Sequence, residues 1–478
     1  METRMCRLVA GFALAAALVT GAQAQQADAL IHDVQGLLQD MSKGKKPVAL
    51  KMNPLDMSGN EKPGQHDCFW MGPVYAGAFN VAYPDGGAVY WPATFTVPGL
   101  AEGAYLEIKG SFPRTRYFSV HTYDKKAAPY DHIRDEEIVP DEGSQNPFIT
   151  GSYSADMNYT LRVVGGVLPP DPAPNTIYMG EADNINRSPL IVRHYIPETP
   201  GDESGGAGLP QVTLVTPDGT RISGEDACAA LKSPPVGDPK RTLFVPVMKK
   251  ADFDEKLKKP AVAKNYLDTK KTDWNVFWDP RINMLAFVSP PLQRVAKVAA
   301  REGLIPKTSG FYANFDNQYV ALSLNEKFGE IVVLEAKMPK TPRLGSDMGN
   351  GTFDIRYWSL CSNESLVTTR FSACIYDAQV ALDGERSYTI VVSKKVNRPA
   401  NAKAECGITW LDWGDAGDGA GHPGLTTLLL RNMAPSADFG KAVQDIQGPG
   451  LEAATMAEYL PKPLYSNKAT FEARGCGR

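Results

Sequence analysis

One nine-residue segment occurs twice in this chain, and the repeat limits the folds available to it. RYFSVHTYD at 116–124 returns as RYWSLCSNE at 356–364, and matching segments flank both copies in the same order. The other matched pairs are 106–109 with 334–337, 159–164 with 388–393, 175–180 with 407–414, and 190–197 with 428–435. Because chance would rarely keep this order, we expect two copies of one structural module.

The matched segments have the character of β-strands. Most are short runs rich in β-branched and aromatic residues, bounded by Gly, Pro, Asp or Asn. The 43 glycines and 37 prolines also favour a turn-rich β protein over a helical one. We predict a mainly β chain with two repeated β-sandwich or jelly-roll-like modules of roughly 140 residues each, joined by a partly helical connector.

Composition shifts along the 478 residues indicate where the modules begin and end. A Gly-rich loop and two amphipathic segments separate the copies, and a short amphipathic helix is expected at 29–41. The predicted parts are a signal peptide at 1–24, a lead-in at 25–65, the first module at 66–200, the connector at 201–307, the second module at 308–440 and a C-terminal extension at 441–478.

The N-terminus has the pattern of a secretory signal. Arg4 and Arg7 precede an apolar run at 8–19 that ends in Ala22-Gln23-Ala24, which predicts cleavage after Ala24. The run is shorter than the roughly 20 residues of a membrane helix, and no later stretch is long enough. We therefore expect a periplasmic or secreted protein without a transmembrane segment. The net charge of −4 argues against nucleic acid as a partner.

The cysteine count fits export to an oxidising compartment. Six cysteines remain once the signal is removed, namely Cys68, Cys228, Cys361, Cys374, Cys406 and Cys476. An even number allows up to three disulfides. We predict one pair individually, Cys361 with Cys374, because both flank an expected hairpin and neighbouring strands can meet the geometry of a bridge.

The second copy also resembles a known family. The segments RYWSLC, YTIVVS, GITWLDWG and LLLRNMAP, within about 328–435, are similar to the C-terminal jelly-roll module of exported bacterial proteins in domain-of-unknown-function family 1214. The resemblance implies a β-sandwich in an envelope or secreted protein. It implies no catalytic residues, because the chemistry of the family is unsettled.

The two copies differ in their titratable residues. His121 aligns with Cys361, His194 aligns with Asn432, and the acidic segment 130–148 is interpreted as an insert that has no equal in the second copy. If either module holds a site, we expect it in the first. Crowded carboxylates can take separate acid and base roles, since each raises the pKa of its neighbour. Our candidate catalytic residues are His121, Tyr123, Asp131, His132, Arg134 and Asp135.

Each candidate also has a plainer interpretation. The acidic segment is equally compatible with a calcium site built from carboxylate oxygens, or with a solvated loop held by surface ion pairs. His121 alternates with Val120 on an expected strand, so it can equally be a hydrogen-bonded histidine on a half-buried sheet face. In the catalytic interpretation, Arg134 orients a carboxylate and Tyr123 assists proton transfer.

Two functions from different classes follow. The first is an exported hydrolase or lyase acting in a cleft between the first module and the connector, without a cofactor unless calcium binds. The second is a non-catalytic protein that holds a small-molecule, glycan or apolar ligand through the early aromatics, on an open platform bearing Trp70, Tyr90 or Trp91. The nucleophile elbow, phosphate-binding loop, zinc-protease and dinucleotide motifs are absent from the sequence.

Overall fold

The computed structural model describes most of the chain beyond the lead-in. The described residues are 51–56, 66–75, 79–96, 103–124, 127–180, 189–238, 241–279, 282, 290–303, 305, 307, 312–349 and 351–476. The predicted signal peptide and the predicted helix at 29–41 lie outside them.

Strands dominate the described part of the chain. They are β1 Lys51–Asp56, β2 Val74–Tyr75, β3 Ala88–Thr94, β4 Tyr105–Ser111, β5 Thr115–Tyr123, β6 Pro129–Arg134, β7 Asn158–Val164, β8 Thr176–Tyr178, β9 Pro189–Pro197, β10 Gln211–Val215, β11 Arg221–Ser223, β12 Thr242–Val247, β13 Asn275–Val276, β14 Asn317–Asn325, β15 Ile331–Lys337, β16 Ile355–Asn363, β17 Phe371–Tyr376, β18 Ser387–Ser393, β19 Ile408–Asp412, β20 Leu425–Pro435 and β21 Lys462–Ser466.

The helices are short. The α-helices are α1 Pro147–Thr150, α2 Gly224–Ala230, α3 Lys250–Leu257, α4 Pro260–Leu267, α5 Pro290–Arg301, α6 Glu452–Met456 and α7 Lys468–Glu472. Single 3₁₀ turns span Asp135–Glu137, Glu326–Phe328, Gly345–Met348, Asp377–Gln379, Lys395–Asn397, Ala404–Cys406, Val443–Asp445 and Ala457–Tyr459.

The first module is a sandwich of two five-stranded sheets, ordered β2-β3-β9-β5-β6 and β11-β10-β4-β7-β8. Alternation along β5 points Phe118 and Val120 between the sheets, where they pack with Leu161 and Val163 of β7. Tyr117, Ser119, His121 and Tyr123 face outward, yet they too are buried. A strand buried on both faces indicates that something covers the outside of this sheet.

The second module repeats the strand order of the first, except that β11 has no counterpart among the described residues. Its sheets are ordered β13-β14-β20-β16-β17 and β19-β18-β15-β21. One parallel pair occurs at the same place in both modules. β8 runs parallel to β7 in the first module, and β19 runs parallel to β18 in the second. This correspondence confirms the predicted mainly β fold with two repeated sandwich modules, and β10 and β21 extend the sheets with strands from outside the repeat.

The acidic segment does have an equal in the second copy, so our interpretation of it as an unmatched insert is wrong. Its first part is β6, which pairs with β5 as β17 pairs with β16. The 3₁₀ turn Asp135–Glu137 then corresponds to Asp377–Gln379. The sequence does not reveal this equivalence, because the two segments share only one aligned carboxylate, Asp135 in the first copy and Asp377 in the second.

The outer faces of β5 and β16 cover each other. Tyr195 of the first module lies between Tyr117 of its own module and Tyr357 of the second, with ring centroids 5.5 and 5.2 Å away. Buried ion pairs flank these rings: Arg116 binds Asp377, and the equivalent Arg356 binds Asp135. Such reciprocal contacts relate the modules by an approximate two-fold axis.

Three disulfides join the described residues: Cys68–Cys228, Cys361–Cys374 and Cys406–Cys476. The second pair confirms the one predicted individually, and it links directly opposed positions of β16 and β17. Among the described residues no helix is both long and apolar enough to cross a membrane.

Candidate functional site

A cavity of about 460 Å³ lies where the two modules and the connector meet. Its floor is formed by two adjacent antiparallel strand pairs, β3 with β9 and β14 with β20, one pair from each module. Residues of β12, α4 and α5, together with Lys271, form the opposite wall. The cavity therefore crosses the approximate two-fold axis, and equivalent residues of the two copies line its two halves.

The strand register places an arginine beside a tyrosine in each half of the floor. Tyr90 of β3 is opposite Arg193 of β9, and Tyr319 of β14 is opposite Arg431 of β20. Both arginines are almost completely buried. Each therefore presents a charged guanidinium to the cavity, because arginine stays protonated in proteins.

Each arginine also binds the backbone of the other module. Arg193 donates to the carbonyl oxygen of Tyr312, and Arg431 donates to that of Tyr83 at 2.9 Å. Tyr83 and Tyr312 are equivalent residues, and both have a left-handed backbone, with φ of 52° and 49°. Non-glycine residues rarely adopt this conformation, and those that do are concentrated at functional sites. The crossed contacts fix the position of both guanidinium groups.

The two halves of the floor differ at the position three residues before β3 in the first module and three residues before β14 in the second. The first copy has Asp85 there, and its carboxylate lies 3.5 Å from Nε of Arg431. The second copy has Asn314, which is neutral. Arg193 consequently has no carboxylate oxygen within 4.0 Å among the residues that the structure describes.

Arg193 is incompletely satisfied. One Nη donates to the hydroxyl of Tyr123, the guanidinium carbon lies 5.5 Å from the centre of the Tyr90 ring, and Nε has no hydrogen-bond partner in the described part of the chain. Only 3% of Arg193 is exposed. A buried cation without a counter-ion is costly, and an anion entering the cavity would relieve that cost.

Two lysines add to the positive charge of the cavity. Burial and, to a lesser extent, the charge of Lys297 together lower the pKa of Lys271 to about 8. Burial also lowers the pKa of Lys297, whose Nζ donates to the side-chain oxygen of Asn275. Glu364 supplies a carboxylate to the lining. Of the described lining residues, four are cationic and one is anionic, so the cavity favours anions.

Apolar residues form the part of the cavity nearest the first module. Beyond Arg193 the next row of the floor is Ile191 opposite Pro92. Leu243 and Val245 of β12 close the wall above this region, and Val74 of β2 completes it. A hydrocarbon group would be removed from water here, at roughly 25 cal/mol per Å² of apolar surface.

The predicted candidates lie beside the cavity without lining it. His121, Tyr123, His132 and Arg134 share the outward face of β5 and β6, and Asp131 occupies the opposite face because side chains alternate along a strand. Of these, Tyr123 is nearest to the cavity, since its hydroxyl accepts a hydrogen bond from Arg193.

The structure brings His121 and His132 together. They are opposed on β5 and β6, with ring centroids 5.0 Å apart, and they occupy the positions that Cys361 and Cys374 hold in the second copy. The side chain of His121 is completely buried, and burial lowers its pKa well below the usual value. The pair therefore stands where the other module has a disulfide.

Both ring nitrogens of His121 are occupied. Nδ1 lies 3.2 Å from the hydroxyl of Ser119, and Nε2 lies 3.4 Å from the backbone N–H of Phe315. The backbone group can only donate, so Nε2 accepts and Nδ1 carries the proton. This places His121 as the neutral tautomer in a hydrogen-bonded position on the sheet.

Asp316 of the second module contacts the more exposed residues of this cluster. Its carboxylate accepts from Arg134 at 3.2 Å and from the hydroxyl of Tyr117 at 2.6 Å, and His132 lies 3.8 Å away. Burial alone would raise the pKa of Asp316. The hydrogen bond and charge of His132, the charge of Arg134 and the Tyr117 hydroxyl outweigh it and lower the pKa to about 2.

The other two candidates have structural partners. Asp131 accepts a hydrogen bond from the backbone N–H of Tyr178 at 2.8 Å, and burial raises its pKa. Asp135 accepts from the backbone N–H of Phe118 at 2.7 Å and forms its ion pair with Arg356. For the calcium hypothesis, no group of three or more histidine, cysteine or acidic side chains placed to hold a metal occurs among the described residues.

The early aromatics divide between core and cavity. Trp70 and Trp91 are buried in the sandwich core of the first module, so the predicted open platform does not carry them. Tyr90 lines the cavity. Sequence reasoning missed Arg193 and Arg431 as site residues, although an arginine at the same place in LIVRHYIP and LLLRNMAP was the available signal.

No family model matches the chain, and no curated protein matches it. Among solved structures, the chain is similar to an uncharacterized protein from Burkholderia cenocepacia, with 12% identity, a TM-score of 0.42 and coverage of 87% of this chain and 86% of that one. It is also similar to the VPA0106 protein from Vibrio parahaemolyticus, with 11% identity, a TM-score of 0.35 and coverage of 84% and 91%.

Proposed function

We propose that this is an exported protein, periplasmic or secreted, that binds a small amphipathic organic anion in the cavity between its modules. The observation that carries the proposal is Arg193, a buried cation without a carboxylate partner among the described residues, on the floor of the cavity. Its equivalent, Arg431, has Asp85 as a partner. The ligand therefore supplies to Arg193 the negative charge that Asp85 supplies to Arg431.

The neighbouring groups define the ligand further. The ring of Tyr90 holds one face of the guanidinium, and the Tyr123 hydroxyl and the Tyr312 carbonyl hold two of its nitrogens. A carboxylate or another oxyanion fits the remaining donors, because charge-assisted hydrogen bonds to arginine are strong and directional. Apolar rows on both sides of the arginines offer surface for the hydrocarbon part of the ligand, one beyond Ile191 and one at Leu429.

Binding is favoured over catalysis by the placement of the candidate catalytic residues. His121 uses both ring nitrogens within the protein, and Asp135 is committed to Arg356. The hydrolase or lyase hypothesis stays a prediction, as does the resemblance to family 1214. The disulfides support an exported location, since such bonds persist in oxidising compartments.

Titration calorimetry with decanoate and with its uncharged methyl ester tests the proposal. We expect decanoate to bind the mature protein and the ester to bind at least about tenfold more weakly, which corresponds to about 1.4 kcal/mol. The variant Asn314→Asp has nearly the same shape as the native protein but supplies Arg193 with a carboxylate. It should weaken decanoate binding by a similar factor, because the internal carboxylate competes with the ligand.

Two further variants make the result decisive. Arg193→Met should abolish the preference for decanoate over the ester, because the methionine keeps the volume and loses the charge. Arg114→Met, which removes an exposed arginine, should bind as the native protein does. Equal binding of acid and ester by the native protein, or undiminished decanoate binding by folded Arg193→Met, would overturn the proposal.

A further inference from the structure

We propose that Lys271 and Lys297 form a second anion-binding position in the same cavity, so that the ligand carries two anionic groups separated by an apolar spacer. The inference rests on the proposed function, since it concerns the other end of the same ligand. It makes the natural ligand a dianion, such as a long-chain dicarboxylate, and not a simple fatty acid.

The first observation is that the two lysines line the cavity together and neither forms an ion pair within it among the described residues, although Glu452 and Asp273 favour the charge of Lys297 from farther away. Both are half-buried lining residues, and neither has a carboxylate oxygen within 4.0 Å among the described residues. Burial and, after it, the charge of Lys297 lower the pKa of Lys271, so the two lysines are close enough for their charges to interact. Two adjacent ammonium groups in a cavity are stabilised when an anion binds between them.

The second observation is the position of these lysines along the floor. Lys271 adjoins Ser323 and Thr427, which are opposed on β14 and β20. Ser323 lies four residues along β14 from Tyr319, which is beside Arg431. At about 3.3 Å per strand residue, the lysine position is roughly 13 Å along β14 from the row that contains Arg431. Arg193 belongs to the other module, across the approximate two-fold axis, so one carboxylate cannot contact both Arg193 and the lysines.

The third observation is the character of the floor between the two positions. The intervening row consists of Ala321 opposite Leu429, and both residues line the cavity. This row offers no charge to the middle of the ligand. Glu364, the acidic lining residue, would repel an anion placed near it, which restricts the two anionic groups to the arginine and lysine positions.

Matched pairs of acids test the inference in the purified mature chain. The probes are octanoate with suberate, decanoate with sebacate, and dodecanoate with dodecanedioate, each pair differing only in the second carboxylate. We expect at least one dicarboxylate to bind about tenfold more tightly than its monocarboxylate at equal ionic strength. Lys271→Met should remove this preference, because it should weaken binding of the dicarboxylate far more than binding of the monocarboxylate.

The control is Lys259→Met, which removes an exposed lysine of the same connector and should retain the preference. Lys297→Met provides an independent second variant and should reduce the preference as Lys271→Met does. If every dicarboxylate binds no better than its partner, or if both lysine variants keep the preference, the second position does not exist, although the monocarboxylate result can still support the proposed function. If none of the six acids binds, the proposed function fails with it.

Discussion

Nη1 of Arg116 lies 2.7 and 2.6 Å from the two carboxylate oxygens of Asp377, across the boundary between the modules. The equivalent residues of the other copy, Arg356 and Asp135, form the same pair in the opposite direction. This relationship explains why the chain carries the arginine at the start of RYFSVHTYD twice. In each copy this arginine binds an aspartate of the other copy, so both copies need it for the contact between the modules.

The Arg116–Asp377 pair predicts a large effect of removing one partner. Arg116→Met leaves the carboxylate of Asp377 buried without its cation, and we expect a loss of about 3–5 kcal/mol in the free energy of unfolding. Urea denaturation of the purified protein measures it. Arg114→Met removes the neighbouring exposed ion pair with Glu198 and should cost only about 0–1 kcal/mol. Similar losses from the two variants would show that the buried pair does not hold the modules together.

The two cavity arginines should differ in their effect on stability. Arg431→Met leaves Asp85 buried without its cation, at an expected cost of about 3–5 kcal/mol. Arg193→Met leaves no unpaired carboxylate, so its cost should be less than half as large. Thermal unfolding of both variants without ligand measures the difference. Equal destabilisation would mean that Arg193 has a counter-ion within the protein, contrary to the asymmetry between Asp85 and Asn314.

Asp316 predicts a specific response to acid. Its pKa is about 2 in the folded state against an ordinary 3.8, so its contribution to stability is present above pH 4 and is lost as the pH falls toward 2. The contribution is at most about 2 kcal/mol. In Asp316→Asn this part of the acid dependence should disappear, whereas the exposed control Asp171→Asn should keep it. Superimposable pH profiles for the native protein and Asp316→Asn would contradict the prediction.

Gly87 is expected to tolerate no side chain. A Cβ at this position would come within 2.6 Å of Cδ1 of Ile196 and of the hydroxyl of Tyr357, which belongs to the other module. Gly87→Ala should therefore cost roughly 1–3 kcal/mol by overpacking the module boundary. Gly384→Ala, where a Cβ meets nothing within 4 Å, should change stability by less than about 1 kcal/mol. Denaturant titration distinguishes the two, and equal stability would mean that the modules separate easily.

The strands of the repeat could be predicted because their signal is local. Alternating residues and bounding turn residues specify a strand within a few positions, and Cys361 with Cys374 could be paired because they lie on adjacent strands. The equivalence of Asp135 and Asp377 could not be recognised in this way. It depends on two 3₁₀ turns whose other residues differ.

The cavity could not be predicted because its residues come together only in three dimensions. Arg193 binds a carbonyl that is 119 positions away, and its missing counter-ion is apparent only when Asn314 is compared with Asp85 at an equivalent position. The sequence instead directed attention to titratable residues. His121 and His132 do meet, but they occupy the place of a disulfide and not the wall of the cavity.

A crystal structure of the mature protein with a terminally brominated dodecanoate tests the central claim most directly. The anomalous signal of bromine locates the hydrocarbon end independently of the carboxylate. We predict that the carboxylate lies within hydrogen-bond distance of the Arg193 guanidinium and that the bromine lies inside the cavity between the modules. A ligand bound only on the outer surface, or a cavity without ligand at a saturating concentration, would contradict the claim.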